Sequence, residues 1–79
     1  MGWWWLSFID DRLPEGQRFV GVAIVEGHGV GSATIHADEI GINPGGEVQA
    51  SELFGDAIPP EALRNRLLSK AELVEADLI

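Results

Sequence analysis

The chain has no cysteine, few basic residues and no apolar run long enough to cross a bilayer. The missing thiols exclude disulfides and thiolate metal sites. Five Lys and Arg stand against thirteen Asp and Glu, giving a net charge of −8. Non-specific contact with a nucleic-acid backbone needs a basic surplus, so no nucleic-acid polymer is expected as a partner. An acidic membrane surface would repel the chain. A duplex mimic would need acidity, but here the acids are interleaved with apolar residues. The segment "GWWWLSFI" is too short for a transmembrane span. No Lys or Arg precedes it, so it lacks the basic start of a signal peptide. These features predict a cytoplasmic protein with no membrane partner.

What is present is globular in composition. Of the 79 residues, 46% are apolar and ten are glycine, too apolar for a disordered chain. Residues 1–79 are expected to form a single domain. A core this small supplies only a few kcal/mol of net stability. With disulfides excluded, self-association is the compensation that remains, so a homo-oligomer is expected.

Residues 3–9 carry three tryptophans and a phenylalanine without helix punctuation, which predicts a strand. Residues 10–17, "DDRLPEGQ", read as a charged loop. Residues 18–26, "RFVGVAIVE", predict a central strand covered on both faces. Val20, Val22 and Ile24 would share one face, and Phe19, Ala23 and Val25 the other. The two strands are expected to pair as an antiparallel hairpin. After the breaker "GHGVG", Val30, Ala33, Ala37 and Ile40 fall at helical spacing. Ser32 is then a candidate N-cap and Gly41 the C-terminal glycine, although "ATIHA" also fits a short strand. Pro44 and Gly45 suit a type II turn. Residues 47–53 alternate as an edge strand. "FGDAIPP" is a second breaker. Pro60 and Glu61 are expected to open a helix to about Leu68, with Ala62, Leu63, Arg66 and Leu67 along it. Ser69 and Glu72 have capping-box spacing. The fold class is thus α+β: a three-stranded antiparallel sheet packed with a short helix, plus C-terminal helical turns.

In a strand, Trp4, Leu6 and Phe8 point one way, and Trp3 and Trp5 the other. The first set is an ordinary core stripe. The plain reading of the second is burial in a dimer interface. The sharper reading is that Trp3 or Trp5 stacks on a planar ligand, since a base–aromatic stack contributes roughly 1–3 kcal/mol.

Three other segments invite chemistry. In "GINPGGEV", Gly45 and Gly46 expose backbone N–H groups that can form an anion nest, although a plain turn is the simpler account. In "RNRLLS", Arg64 and Arg66 suit phosphate or carboxylate contact, with ion pairing to Glu61, Glu72 or a sheet carboxylate as the plain alternative. His28 and His36, with Asp38 and Glu39, match no metal-site spacing. Asp10 and Asp11 diverge if extended. No nucleophile elbow is present, so no enzyme, metal or cofactor is expected.

The blocks "WWWLSF", "FVGVAIVE", "GINPGGEV" and "RNRLLS" together resemble a family of small uncharacterised phage and bacterial proteins, over most of the chain. In that family the segment before "GINPGGEV" is more clearly helical than the glycine-richer one here. The resemblance implies a phage setting, with the protein in the host cytoplasm if phage-encoded. There, short single-domain accessory proteins counter host defences. Phage proteins that sequester nucleotide signals are similar in general design, with aromatics, glycine-loop amides and arginines between subunits. The expected function is therefore a non-enzymatic, homo-oligomeric binding protein that sequesters a nucleotide-like molecule. Trp3 or Trp5 would stack on the base, Asn43, Gly45 and Gly46 would offer donors to phosphate, and Arg64 and Arg66 would neutralise charge. The alternative is a protein–protein inhibitor or adaptor that docks on a host protein through its Trp-rich face.

Overall fold

A computed structural model describes residues 2–53 and 59–78. Strand β1 (Gly2–Ile9) pairs antiparallel with β2 (Phe19–Gly27) around the charged loop. Helix α1 (Val30–Glu39) then leads to β3 (Glu47–Glu52), which pairs antiparallel with the other edge of β1. A 3₁₀ turn (Glu61–Leu63) precedes a two-residue strand, β4 (Leu67–Leu68), on the outer edge of β2, and helix α2 (Lys70–Glu75) follows. The sheet order is β3-β1-β2-β4. The fold is α+β, with four antiparallel strands among the described residues where the sequence pattern gives three.

The fourth strand lies inside the stretch expected to be a helix from Pro60 to Leu68. Its apolar spacing is helical, but Asn65 takes a left-handed φ of 56°. That conformation is disfavoured within a helix for any L-residue. The Asn65 N–H donates to the Ile24 carbonyl at 2.9 Å, and Val22 and Ala23 pair with Leu68 and Leu67. Pairing with an existing strand outweighs local helix propensity here. The breaker "FGDAIPP" falls mostly on residues 54–58, outside the described residues.

The sheet has two apolar faces. On one, Leu6, Phe8, Ala23 and Val25 are fully buried against Ala33 and Ala37 of α1, with Trp4, Val20, Ile42, Val48 and Ala50 around them. The small residues bring helix and sheet close. A Cβ on Gly27 would stand 2.6 Å from the Ala33 nitrogen, so this contact needs glycine. The Trp4 Nε1–H donates to the Gly27 carbonyl at 3.0 Å and satisfies the indole inside this layer. Val20 joins this face instead of the Val22 face. A bulge opposite Phe8 and Ile9 inserts one extra residue, and one inserted residue reverses side-chain alternation beyond it.

Helix α1 begins at Val30, with Gly29 as its N-cap and no side-chain capping bond. Ser32 is therefore within the helix and not its cap. The C-terminus follows the expected chemistry. Gly41 has φ 78°, its N–H donates to Asp38, and the Ile42 N–H donates to Ala37. These are the paired bonds of a Schellman motif.

On the second face, Val22 and Ile24 are buried with Leu68 and Leu73, and Trp3, Trp5, Leu53 and Leu63 pack against them. This layer comes from the chain's own C-terminal segment. Over β2 this cover comes from within one chain, and toward β1 the indoles of Trp3 and Trp5 are half-buried. The Ser69–Glu72 capping box forms as its spacing predicts.

Candidate functional site

The part of the second face that carries Trp3 and Trp5 is built on β1. Alternation directs Trp3, Trp5 and Ser7 to this side, and register adds their neighbours. Trp3 stands opposite Glu26, and Trp5 lies between Ile24 and Ser51. Opposed residues in an antiparallel pair share a face, so Glu26 and Ser51 border the two indoles. Both indoles are half-buried, and Ser51 is exposed.

Arg64 completes this surface from the far end of the chain. Its backbone bridges Ile24 on the outer edge of β2. From there its side chain crosses β2, and the guanidinium carbon lies over the Trp3 ring, 5.3 Å from the centroid. The Arg64 Nε–H donates to the Pro59 carbonyl at 2.7 Å, which fixes the guanidinium on the indole. A cation over an indole face gains about 0.5–1 kcal/mol where water reaches it. Arg64 has no carboxylate partner among the described residues.

The other expected ligand residues lie elsewhere. Arg66 donates from Nε to the Ala62 carbonyl at 2.7 Å and pairs with Glu72 at 2.6 Å. It takes the ion pair that was its plainer alternative. Leu63, Arg66, Glu72, Glu75 and Ala76 line an open depression of about 270 Å³ there. The Glu72 carboxyl titrates below its ordinary range, chiefly because the Ser69 backbone N–H donates to it, with help from Arg66.

The glycine loop sits at the opposite end of β1. A Cβ on Gly46 would stand 2.5 Å from the Ile9 carbonyl oxygen, so the loop packs on the last residue of β1. Trp3 to Ile9 is six residues, roughly 20 Å along a strand. Gly45 and Gly46 have φ of 86° and 81°, as the turn chemistry requires. The Gly45 N–H, however, already donates to Asn43 Oδ1 at 2.8 Å. Within one chain, then, Trp3, Trp5 and Arg64 come together. Arg66 stands apart in its own ion pair, and Asn43, Gly45 and Gly46 stand at the far end.

In the charged hairpin loop, Asp10 and Arg12 bond to each other. Asp10 receives both Nε and Nη2 of Arg12, at 3.0 and 3.1 Å. This side-chain bonding is the main cause of its lowered pKa. Among the described residues no three His, Asp or Glu side chains are grouped to hold a metal ion, and no helix is long and apolar enough to cross a membrane. Sequence reasoning did not single out Glu26 and Ser51. Strand register would have found them, once the pairing was known. No protein family, curated protein or solved structure matches this chain.

Proposed function

We propose that the protein is a non-enzymatic binding module that docks on another protein through the surface formed by Trp3, Trp5 and Arg64. One observation carries this reading: an arginine fixed on a half-buried indole, beside a second half-buried indole, on one face of the sheet. Trp and Arg are the residues most enriched at the energetic centres of protein interfaces. Arg64 is already held by Pro59 and Trp3, so little side-chain entropy is lost when a partner covers it.

The test is affinity capture from lysate of cells in which the protein occurs, comparing three baits. Ser51→Arg adds bulk beside Trp5 on the proposed surface. Ser32→Arg adds the same bulk on the exposed part of α1, across the sheet. The expected result is a partner captured by the original chain and by Ser32→Arg but lost with Ser51→Arg. An identical set from all three baits contradicts the proposal.

A nucleotide-like ligand held between two copies is the second reading. It is supported by the placement of the glycine loop and Trp3 at opposite ends of one strand. Two copies packed face to face with antiparallel β1 strands bring Gly46 of one toward Trp3 of the other. In that case the ligand sits between subunits, as a phage protein that sequesters a nucleotide signal would hold it. Native mass spectrometry tests this directly. A dimer that gains one nucleotide mass supports it, and a monomer indifferent to cyclic and linear nucleotides contradicts it.

A further inference from the structure

Strand β3 lies at one edge of the sheet, and its outer side has no strand partner among the described residues. The phase of its pairing with β1 is fixed by one bond. The Leu53 N–H donates to the Trp3 carbonyl at 2.9 Å, and Trp4 stands opposite Glu52. In an antiparallel ladder that bond brackets a non-hydrogen-bonded pair. Trp4–Glu52, Leu6–Ala50 and Phe8–Val48 are therefore non-hydrogen-bonded pairs. Trp5–Ser51, Ser7–Gln49 and Ile9–Glu47 are the hydrogen-bonded ones. Glu47, Gln49 and Ser51 direct their main-chain groups to β1, whereas Val48, Ala50 and Glu52 direct theirs outward.

Among the described residues this edge has no lysine, proline or bulge, and its only charged side chains are acidic. Natural edge strands are blocked by lysine, proline or a bulge. The six residues of β3, "EVQASE", contain neither lysine nor proline, and their register with β1 is unbroken. On one face Val48 and Ala50 are half-buried against the Leu6–Phe8 cluster, so an apolar neighbour would extend that core. On the other face Glu47, Gln49 and Ser51 are exposed. Glutamates stand at both ends of the strand.

The charge of the molecule selects the occupant. Four of the five basic side chains are engaged within the chain. Arg12 is held by Asp10, Arg18 by the Leu13 carbonyl, Arg64 by the Pro59 carbonyl and Arg66 by Glu72. The surface field is that of a chain with net charge −8. A second copy would bring the same charge and meet repulsion, whereas a cationic segment would be drawn in.

We propose that the outer edge of β3 accepts an extended, basic-flanked segment of a partner protein as a fifth strand. Strand addition uses main-chain bonds for affinity and alternate side chains for specificity. The segment places basic residues opposite Glu52 and Glu47, apolar residues opposite Ala50 and Val48, and small polar residues opposite Ser51 and Gln49. This surface shares no residue with the Trp3–Trp5–Arg64 face except Ser51, whose side chain points to that face, and it stands independently of the docking proposed there.

The test uses the full chain and a fluorescein-labelled peptide, Gly-Lys-Thr-Val-Thr-Val-Lys-Gly, followed by anisotropy. A matched peptide with glutamate at both lysine positions is the comparison. The basic peptide should bind about tenfold more tightly than the acidic one. The double variant Glu47→Lys/Glu52→Lys should reverse that order. Ala50→Pro removes an outward N–H and leaves the β1 ladder intact, a place where edge strands tolerate proline. It should weaken the basic peptide by about tenfold or more. Peptide should also slow amide exchange at Val48, Ala50 and Glu52. Absence of saturable binding, equal binding of the two peptides, or undiminished binding to a folded Ala50→Pro chain would overturn the proposal. So would a dimer of the unmodified chain that Ala50→Pro dissolves, since it would assign the edge to a second copy. If Ala50→Pro fails to fold, the charge-reversed double variant decides, because both of its sites are exposed.

Discussion

The guanidinium of Arg64 lies over the indole of Trp3 at 5.3 Å, joining two residues sixty-one positions apart in sequence. This contact ties the C-terminal segment to the first strand and defines the surface proposed for docking. Arg64→Ala removes both the cation–π contact and the bond to the Pro59 carbonyl. Together these account for about 1–2 kcal/mol. Urea unfolding should show that loss. Arg64→Lys should recover part of the charge effect but not the planar stack. Unchanged stability in Arg64→Ala would mean that the stack is not populated in solution.

Two glycines should respond to alanine in opposite directions. Gly27→Ala pushes a Cβ into the backbone of Ala33 and should destabilise by about 1–3 kcal/mol or more, as overpacking does. Gly31 lies within α1, with nothing within 4 Å of the added Cβ. Gly31→Ala should therefore stabilise by about 0.5–1 kcal/mol. Thermal melts of the two variants check both signs, and destabilisation of equal size in both would contradict the packing of α1 on β2.

Just past the end of helix α2, Asp77 has φ 61°, with the Asp77 and Leu78 amides bonded back to Val74 and Leu73. An L-residue in that conformation costs about 1–2 kcal/mol, partly offset for Asp by its short polar side chain. Asp77→Gly should raise the melting temperature, while Asp77→Val should lower it.

Much of this architecture was legible in the sequence. The tryptophan strand divides into its two faces as alternation requires, and Gly41 and the Ser69–Glu72 pair end and begin helices where their chemistry places them. What escaped were features set by distant pairing. Leu67 and Leu68 have helical spacing with Leu63 and became a strand because Val22 and Ala23 offered an open edge. The stack of Arg64 on Trp3 has no local signal at all. The glycine loop and the tryptophans resembled parts of one site only because sequence does not show that β1 holds them at opposite ends.

Acid should weaken two local structures. The Arg12 guanidinium lowers the pKa of Asp10, and the Ser69 N–H lowers that of Glu72. In both cases the folded value lies below the unfolded value of about 4. Their contribution is therefore complete above that value and is lost as pH falls through the folded pKa. Relief of the net charge of −8 acts in the opposite sense, so the comparison must be between variants. The stability gap between the original chain and Glu72→Gln should narrow as pH drops from 6 to 3. A gap constant over that range would show that the ionised carboxylate does not cap α2.

All three indoles are half-buried, but among the described residues only the Trp4 Nε1–H has a hydrogen-bond partner, whereas Trp3 and Trp5 lie on the face proposed for docking. Hydrogen exchange at the three indole Nε1–H groups, assigned through single Trp→Phe variants, measures this directly. Slow exchange is predicted for Trp4, whose Nε1–H is bonded to the Gly27 carbonyl, with rapid exchange for Trp3 and Trp5. Equal and strong protection of all three would show that the chain closes this face itself, and would contradict a docking surface there.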